Sequence, residues 1–485
     1  MSLLAAVEAS LKHGTLYKAS NAFVQWTDAG YIRAAASVAD KRCSTGHQLS
    51  PIDGRLIAIK DNICTTGLPT TCASNSLKGF QSPYESTVVK KLRAAGAIIC
   101  GKTNLDEFGM GSHSTNSASG AVNQGTGGEL SVGGSSGGSA IAVASQQCWA
   151  SIGTDTGGSI RLPAAYTGTV GFKPSYGMIS RHGVIAYANS LDTVGILSRS
   201  VKDVQQVFAI TRGHDTWDPT SLTEETRTKL TSAAKARPRR PNLRIGVPVE
   251  YNVAEINPTI RTIWQQALER VISAGHEVVS ISLPSTRLAL STYYVLAPAE
   301  ASSNLAKYDG VKYGNAASKP KLEANVLFAT GRGQNLGDEV KRRILLGSFT
   351  LSASAFDNYF LQAQKVRRSV QQDFNAVFGI PNVLQESSAA NPEGVDLLLT
   401  PTAPSFPPKL ASLAHYTPLK SYGDDVLTVP ASLAGLPVIS IPTRTDTFGL
   451  DTPPGSVGLQ LIGQYGNDDF VLDTAGQLET LLWNR

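Results

Sequence analysis

Three segments of the chain carry side chains that together suit amide cleavage. Two glycine-rich runs contain serines, GGSSGGS at 133–139 and GTDTGGSIR at 153–161, and a lysine follows the apolar residues of RLIAIKDN at 55–62. Glycine lets the backbone approach a substrate closely and adopt angles closed to other residues. Serines in such runs are suited to act as a nucleophile and a proton relay, and a lysine that closes an apolar strand loses hydration and becomes a base. These segments therefore predict a Ser–Ser–Lys amide-cleaving site without histidine.

Glycine and serine dominate the tract 109–139, which contains the first serine run. A tract of this composition is either a flexible linker or an active-site loop lined by backbone. It continues directly into SAIAVASQQCWASIGTD, a pattern of a helix and then a strand. Because a linker usually joins two independent cores, this continuity favours the active-site loop.

Apolar spacing along the chain predicts helices that alternate with strands. The predicted strands are 56–60, 97–100, 243–249, 277–284, 395–401, 438–443 and 458–463. The predicted helices are 2–12, 20–40, 86–95, 260–275, 339–378 and 468–483. This alternation indicates an α/β fold with a large, mixed but mostly parallel sheet that helices cover on both faces.

Composition excludes several classes of protein. The net charge of +5 is mildly basic and mostly scattered, and the one basic cluster, KARPRRP at 235–241, is interpreted as a solvated linker rather than a nucleic-acid patch. Five cysteines form no CxxC pair, which indicates a reducing compartment without structural zinc or another metal site. No apolar run reaches the ~20 residues of a membrane span. The N-terminus lacks a secretory pattern and is at best a weak organelle-targeting signal.

Two formal motif matches point to other chemistry. GAIICGKT at 96–103 fits a P-loop, but its middle residues are apolar and strand-like instead of forming a phosphate cradle. GGSSG at 133–137 fits the nucleophile elbow of α/β-hydrolases, which requires a preceding strand and a histidine partner. The preceding residues are a poor strand, and no downstream histidine sits in a convincing motif. Both interpretations are less favoured than the Ser–Ser–Lys site, and Lys102 is expected to be structural.

The same segments resemble the amidase signature family. The resemblance runs from LIAIKDN through GKTNLDEFGMGS and GGSSGGS to GTDTGGSIRLPAAYTGTVGFKPSYG. Ser135 and Ser159 are 24 residues apart, and Lys60 lies 75 residues before Ser135, which also matches the family pattern. The resemblance implies that Ser159 is the nucleophile, that Ser135 is a bridging serine held by a cis peptide bond, and that Lys60 is the base.

The turn before Ser159 provides donors for a tetrahedral oxyanion. Its glycines leave backbone N–H groups unpaired where a helix, SIRLPAAY, is predicted to begin. The expected oxyanion donors are the N–H groups of Thr156, Gly157, Gly158 and Ser159. Three further residues match supporting positions of the family, Ser136, Asp155 and Arg161, although local structural hydrogen bonds would explain them equally well.

The resemblance also implies a domain organisation. A chain of 485 residues has room for about three domains or for one large α/β domain. We expect a single amidase domain over 1–485, with an N-terminal helical region at 1–50 and the signature core at 51–200. A polar, proline-containing variable insertion at 214–242 precedes the rest of the sheet and the substrate-binding region at 243–485.

Outside the core, the chain resembles one subgroup of the family, the glutaminase subunits of glutamyl-tRNA(Gln) amidotransferases. The segments that carry this resemblance lie at 293–314, 337–349 and 422–442. Position in the family implies that Tyr293, Arg343 and Asp425 hold the α-carboxylate and α-ammonium of glutamine. Arg343 also fits a plain charged helix face, and Asp424 adjoins Asp425, so the choice between the two aspartates stays open.

This subgroup implies the partners. Ammonia from glutamine would pass to a transferase/kinase subunit, which would bind ATP and Mg²⁺ and most of Glu-tRNA(Gln), and a small third subunit would complete the complex. The chain itself is expected to bind no cofactor and no membrane. A mitochondrial matrix location is favoured, with a bacterial-type cytoplasm as the alternative. The alternative functions are a stand-alone amidase with another substrate and a non-catalytic scaffold subunit.

Overall fold

The structure is a computed structural model, and it describes residues 2–125, 129–235, 242–316, 328–385, 388–443 and 456–482. Most of the basic cluster at 235–241 lies outside these described residues.

Helices and strands alternate over much of the described chain. The strands are β1 (Phe23–Trp26), β2 (Leu56–Lys60), β3 (Ile98–Thr103), β4 (Ala150–Asp155), β5 (Val170–Lys173), β6 (Thr193–Ser198), β7 (Arg244–Pro248), β8 (Glu277–Ile281), β9 (Leu397–Pro401), β10 (Val438–Thr443) and β11 (Val457–Ile462). The helices are α1 (Leu3–Leu16), α2 (Ala29–Ser44), α3 (Thr87–Ala94), α4 (Gly137–Ala144), α5 (Arg161–Thr167), α6 (Val201–Thr211), α7 (Glu224–Lys235), α8 (Pro258–Ser273), α9 (Ala289–Asn304), α10 (Ala329–Asn335), α11 (Asp338–Thr350), α12 (Phe360–Val377), α13 (Leu410–Leu413), α14 (Pro418–Gly423), α15 (Val429–Ala434) and α16 (Asp468–Leu482).

The strands form one mixed sheet in the order β1-β3-β2-β4-β6-β5-β10-β11-β9-β7-β8. This confirms the α/β class and the mixed sheet, but the expected parallel majority is not observed. Four neighbouring pairs are parallel, β2 with β3 and β4, and β7 with β8 and β9, whereas six pairs are antiparallel. Three strands that we did not predict, β1, β5 and β6, account for four of these antiparallel pairs. Because β5 and β6 are antiparallel neighbours, the connection between them does not need to cross over the sheet. No helix lies between these two strands in the chain.

Most predicted elements are confirmed to within a few residues, and two helix predictions are wrong in part. The segment 20–40 contains β1 before α2 begins at Ala29, so residues 21–28 are not helical. The pattern over 339–378 is divided into α11 and α12, with turns at 351–359 between them. In both segments the apolar spacing continued across a break that tertiary packing imposes.

Two apolar cores cover the opposite faces of the sheet. Along β2, Ile57 and Ile59 belong to one core, while Leu56 and Ala58 belong to the other. The second core also contains Ala140 and Val143 of α4. Because side chains alternate between the faces of a strand, the next residue on the α4 side is Lys60. The strand thus directs this lysine towards the segment that begins α4.

Parallel strands bring the candidate site to one edge of the sheet. β2 lies between β3 and β4 and runs parallel to both. Their carboxyl ends therefore meet at the same edge. Lys60 ends β2, Asp155 ends β4, and the loop after β3 begins at Asn104.

Candidate active site

Lys60 is fully buried and hydrogen-bonded to the first serine run. Its Nζ donates to Ser135 Oγ at 2.8 Å and to Ser136 Oγ at 2.8 Å. Two further contacts go to Thr154 on β4, at 3.0 Å to the hydroxyl and 3.3 Å to the carbonyl. The position of Nζ is thus fixed by three neighbouring residues, and one of them is the expected bridging serine.

Burial changes the acid–base behaviour of this lysine. Loss of hydration lowers the pKa of Lys60 to about 7, although the nearby carboxylates of Asp106, Asp155 and Asp192 favour the charged form. A substantial fraction of the amine is therefore neutral near neutral pH. A neutral amine next to a serine hydroxyl is what proton abstraction requires.

Ser135 is held by its backbone as well as by Lys60. The Gly134–Ser135 peptide bond is cis, as the family resemblance implied. The Ser135 carbonyl accepts a hydrogen bond from the Asp106 backbone N–H at 3.2 Å. A Cβ at Gly134 would lie 2.2 Å from Asp106 Oδ2, so only glycine fits beside that carboxylate.

Ser159 lies in the turn that connects β4 to α5. Its side chain is the most accessible of the three, since Ser159 is 9% exposed against 1% for Ser135 and 0% for Lys60. Its carbonyl accepts a hydrogen bond from the Ser136 backbone N–H at 3.2 Å, which ties the two serine runs together. This arrangement leaves Ser159 as the hydroxyl that a substrate reaches first.

The backbone donors of this turn are unused within the protein. The N–H groups of Gly157, Gly158 and Ser159 donate no hydrogen bond to any residue that the structure describes. A Cβ at Gly157 would lie 2.7 Å from the Tyr293 ring, and one at Gly158 would lie 2.3 Å from the Thr428 hydroxyl. Glycine is therefore required at both positions, and the free N–H groups match the expected oxyanion donors.

The structure contains one of the two hydrogen bonds that the expected proton relay requires. Lys60 is bonded to Ser135, but no hydrogen bond joins the Ser135 and Ser159 hydroxyls in the described part of the chain. Catalytic hydrogen bonds are often long before substrate binds. Lys60 is therefore joined directly to Ser135, and Ser159 is joined to the same serine loop through the Ser136 N–H.

Asp155 and Arg161 form a buried ion pair next to the turn that carries Ser159. The Arg161 guanidinium donates to Asp155 through Nε at 3.0 Å and Nη2 at 2.9 Å, and both side chains are fully buried. Burial alone would raise the pKa of Asp155, but the charge and hydrogen bonds of Arg161, together with the charge of Lys173 and the Ile160 N–H, hold that pKa below its usual value. Arg161 also donates to the Thr428 carbonyl at 2.8 Å. The pair connects the Ser159 turn to the segment that follows Asp425.

Arg343 is a buried arginine surrounded by aromatic rings rather than part of an exposed charged face. It is 3% exposed, and its guanidinium lies over the rings of Tyr187, Tyr294 and Tyr422 at 5.4–5.8 Å. Nε donates to Glu339 at 2.8 Å and Nη1 to the Tyr187 hydroxyl at 2.7 Å. Nη2 donates to none of the described residues, so this nitrogen is available to a ligand.

The neighbouring residues Asp424 and Asp425 have different interaction partners. Asp425 Oδ2 accepts hydrogen bonds from Ser112 and Tyr294, each at 3.0 Å, while Oδ1 has no hydrogen-bond partner among the described residues. Asp424 instead pairs with His113, with 3.1 Å between Oδ2 and Nε2. Burial raises the pKa of Asp425 to about 6, although its two hydrogen bonds oppose this shift. Tyr294 contacts both Arg343 and Asp425, so Asp425 shares a direct neighbour with the arginine site.

Tyr293 connects this region to the Ser159 turn. Its ring packs against Gly157 and lies edge-on to Tyr294, with 5.0 Å between ring centroids. A cavity of about 210 Å³ adjoins the same region and is lined in part by Ser112, Arg343 and Tyr422. A larger cavity of about 820 Å³ lies between α7 and α16, and none of the candidate catalytic residues lines it.

Several site residues were missed in the sequence analysis. Thr154 contacts Lys60, Asp192 accepts a hydrogen bond from Thr156 at 2.6 Å, and Asp106 contacts the Ser135 loop. Asp106 belongs to GKTNLDEFGMGS, so the quoted motif contained its signal. Asp192 was detectable only from contacts between residues far apart in sequence.

The two competing motif interpretations are not supported by the fold. The P-loop match at 96–103 falls mostly on β3, and Lys102 pairs with Asp61 at 3.0 Å and donates to the Ile63 carbonyl at 2.8 Å. No strand occupies the described residues 129–132 before the GGSSG run, and no histidine within the described ranges is hydrogen-bonded to either candidate serine.

Within the described ranges, no three His, Cys, Asp or Glu side chains are grouped to hold a metal ion. None of the described helices is long and apolar enough to cross a membrane. All five cysteines are free thiols.

Comparison with known proteins places these features in context. The family model named Amidase matches residues 5–472. The chain is 52% identical to the A subunit of the mitochondrial glutamyl-tRNA(Gln) amidotransferase of Coccidioides posadasii, with 99% of each chain covered. It is 50% identical to the protein of the same name from Ajellomyces capsulatus, again with 99% of each chain covered. The crystal structure of the glutamyl-tRNA(Gln) amidotransferase A subunit from Thermotoga maritima is similar, with a TM-score of 0.73 and 32% identity over 98% of this chain and 90% of that one.

Proposed function

Because this chain belongs to the amidase family, we propose that it hydrolyses the side-chain amide of glutamine as the glutaminase subunit of a glutamyl-tRNA(Gln) amidotransferase. The choice of substrate rests on two polar atoms, Arg343 Nη2 and Asp425 Oδ1, which have no hydrogen-bond partner among the described residues. Both lie in one buried, tyrosine-lined region beside the Ser159 turn. A cation and an anion held together suit the two charges of a free amino acid.

The proposed chemistry begins with proton transfer. Neutral Lys60 accepts the proton of Ser135, and Ser135 accepts the proton of Ser159 as the Ser159 Oγ attacks the amide carbon. The carbonyl oxygen becomes an oxyanion, which the free N–H groups of the Gly157–Ser159 turn stabilise. This electrostatic stabilisation acts in a buried site, where it is stronger than in water.

Collapse of the tetrahedral intermediate breaks the carbon–nitrogen bond. The proton returns from Lys60 through Ser135 to the departing nitrogen, which leaves as ammonia, and the γ-carbonyl carbon remains esterified to Ser159. Water then attacks this ester with the same base, releases glutamate and restores the Ser159 hydroxyl. The bridging serine therefore carries protons in both directions.

Glutamine recognition would use the ligands expected from the sequence. The Arg343 guanidinium would bind the α-carboxylate through Nη2, and Asp425 would bind the α-ammonium through Oδ1. The ring of Tyr293, which packs on Gly157, would border the path between these charges and Ser159. Binding an ammonium next to Asp425 also favours the ionised form of that carboxyl, whose pKa burial raises to about 6.

The ammonia would be used by a partner. Relatives that share about half of the residues over the full chain are named as one subunit of an amidotransferase, which supports partner subunits. The partners proposed here are a transferase/kinase subunit and a small third subunit. ATP, Mg²⁺ and most of the Glu-tRNA(Gln) surface would belong to the transferase/kinase subunit. The same relatives are named mitochondrial, which supports a matrix location for this chain.

Ammonia release from glutamine tests this proposal. The full-length chain would be assayed alone, with co-purified partners, and with partners and Glu-tRNA(Gln). We expect release that rises when partners and tRNA are added. A stand-alone amidase would hydrolyse another amide at a rate that partners do not change. A scaffold subunit would show neither activity, and a serine-reactive acylating reagent would not label Ser159.

A further inference from the structure

We propose that Glu107 is a positioning residue for glutamine recognition, because it fixes the start of α11, the helix that carries Arg343, against the catalytic end of the sheet. This inference rests on the proposed function. Glu107 lies in the short turn after β3, and its carboxylate is hydrogen-bonded to neither Lys60 nor the two candidate serines, all of which lie within the described ranges. Its carboxylate reaches in the other direction, to the N-terminus of α11.

Both carboxylate oxygens of Glu107 accept hydrogen bonds, and one of these comes from the start of α11. Oε2 accepts a hydrogen bond from the Gly337 backbone N–H at 2.7 Å, and Oε1 accepts one from the Ser74 hydroxyl at 2.5 Å. Gly337 is the N-cap residue of α11, where backbone N–H groups have no partner within the helix. Glu107 is 5% exposed, so these bonds are shielded from water.

The close approach at Gly337 shows how tightly the helix start is seated. A Cβ at Gly337 would lie 2.4 Å from Glu107 Oε2, so only glycine allows this distance. Ser76 also donates its hydroxyl to the Asn335 carbonyl at 3.2 Å. The chain just before α11 is therefore fixed at two points.

The distance from this anchor to the substrate site is short. Arg343 lies six residues after Gly337, which is about 9 Å along a helix. Its side chain is held by Glu339, one turn earlier on the same helix, so the guanidinium moves with α11. A shift of the helix start would displace Nη2 from the α-carboxylate of glutamine.

The neighbouring residue connects this anchor to the catalytic centre. Asp106 accepts hydrogen bonds from the backbone N–H groups of Ser114 at 2.8 Å and Asn116 at 3.0 Å, and its own N–H donates to the Ser135 carbonyl. The two consecutive acidic residues thus contact different parts of the protein: Asp106 contacts the loop that carries Ser135, and Glu107 contacts the start of α11. The Glu107 contact sets the distance between glutamine recognition and the nucleophile.

The test compares Glu107→Gln with a matched control. Glu250 makes the same type of contacts elsewhere, to the Ser282 hydroxyl and the Leu283 N–H, each at 2.7 Å. Both variants would be made in the full-length chain with its co-purified partners. KM and kcat would be measured for glutamine and for a simple uncharged amide, together with the thermal unfolding midpoint.

We expect Glu107→Gln to raise KM for glutamine about tenfold, with kcat and the uncharged amide changed less than about twofold. Glu250→Gln should change neither KM. Ser74→Ala removes one of the two donors without altering charge and should raise the glutamine KM by about two- to threefold, which decides the matter if Glu107→Gln does not fold.

Four results would overturn the inference. An unchanged glutamine KM in Glu107→Gln, or equal losses on both amides, would assign Glu107 to general stability and leave the proposed function intact. An unchanged KM in a folded Ser74→Ala variant, when Glu107→Gln does not fold, would do the same. A wild-type protein that hydrolyses the uncharged amide but not glutamine would overturn the proposed function and this inference with it.

Discussion

Lys60 Nζ lies 2.8 Å from Ser135 Oγ, and the lysine that makes this contact is completely buried. An ammonium in such surroundings loses hydration, and this loss lowers the pKa of Lys60 to about 7. The same contact therefore provides both the geometry and the basicity for proton abstraction.

Replacing Lys60 with arginine should abolish catalysis. Arginine retains the positive charge but does not become a neutral base near pH 7. We expect Lys60→Arg to be nearly as inactive as Lys60→Ala in ammonia release from glutamine. Thermal unfolding midpoints of both variants separate this effect from misfolding. Substantial activity in a folded arginine variant would remove the general-base role.

The pH dependence should distinguish the base from the substrate-binding carboxylate. Lys60 acts when neutral, so kcat/KM falls as pH drops below about 7. Asp425 binds the ammonium when ionised, so protonation below about pH 6 should add a second loss for glutamine. An uncharged amide should show only the first loss. A plot of log(kcat/KM) against pH should therefore steepen below about 6 for glutamine alone, and Asp425→Asn should remove this steepening.

Ser159→Ala should eliminate ammonia release and leave the fold intact. The side chain is small and makes no hydrogen bond with the described residues, so its loss leaves no buried group unpaired. Loss of a covalent nucleophile costs several powers of ten in rate. Ser139→Ala is the control, since that hydroxyl lies in the first serine run but pairs with Thr103 at 2.6 Å. If Ser159→Ala stays active while Ser135→Ala does not, Ser135 is the nucleophile.

The local part of this site was predictable from sequence. The run LIAIK ends a buried strand, and the alternation of its side chains places Lys60 on the face where α4 packs. The glycines at 157 and 158 predicted close approach of the backbone to a substrate, and the structure shows that they also make room for Tyr293 and Thr428. Short-range patterns of this kind depend on a few neighbouring residues, which is why the sequence reveals them.

Contacts between distant segments were not predictable in the same way. The residues of β5 and β6 do not alternate clearly, and their antiparallel pairing depends on β4 and β10, which lie far apart in the chain. The contact of Glu107 with Gly337 spans 230 residues. No local pattern encodes such a partner, because its position is fixed only when the whole sheet has formed.

The substrate assignment gives the last prediction. Arg343→Ala removes the buried guanidinium that would bind the α-carboxylate of glutamine, and Asp425→Asn removes the charge that would bind its α-ammonium. Each change should weaken glutamine binding by about 1.5–3 kcal/mol, roughly ten- to a hundredfold or slightly more in KM. Asp424→Asn is the control for Asp425, because Asp424 pairs with His113. Kinetics with glutamine and with an uncharged amide, and acylation of Ser159 by a small serine reagent, provide the measurement. Acylation and the uncharged amide should be little affected, since neither requires these charges. Equal losses on both substrates would mean that Arg343 and Asp425 support the fold, and the glutamine assignment would lose the contacts on which it depends.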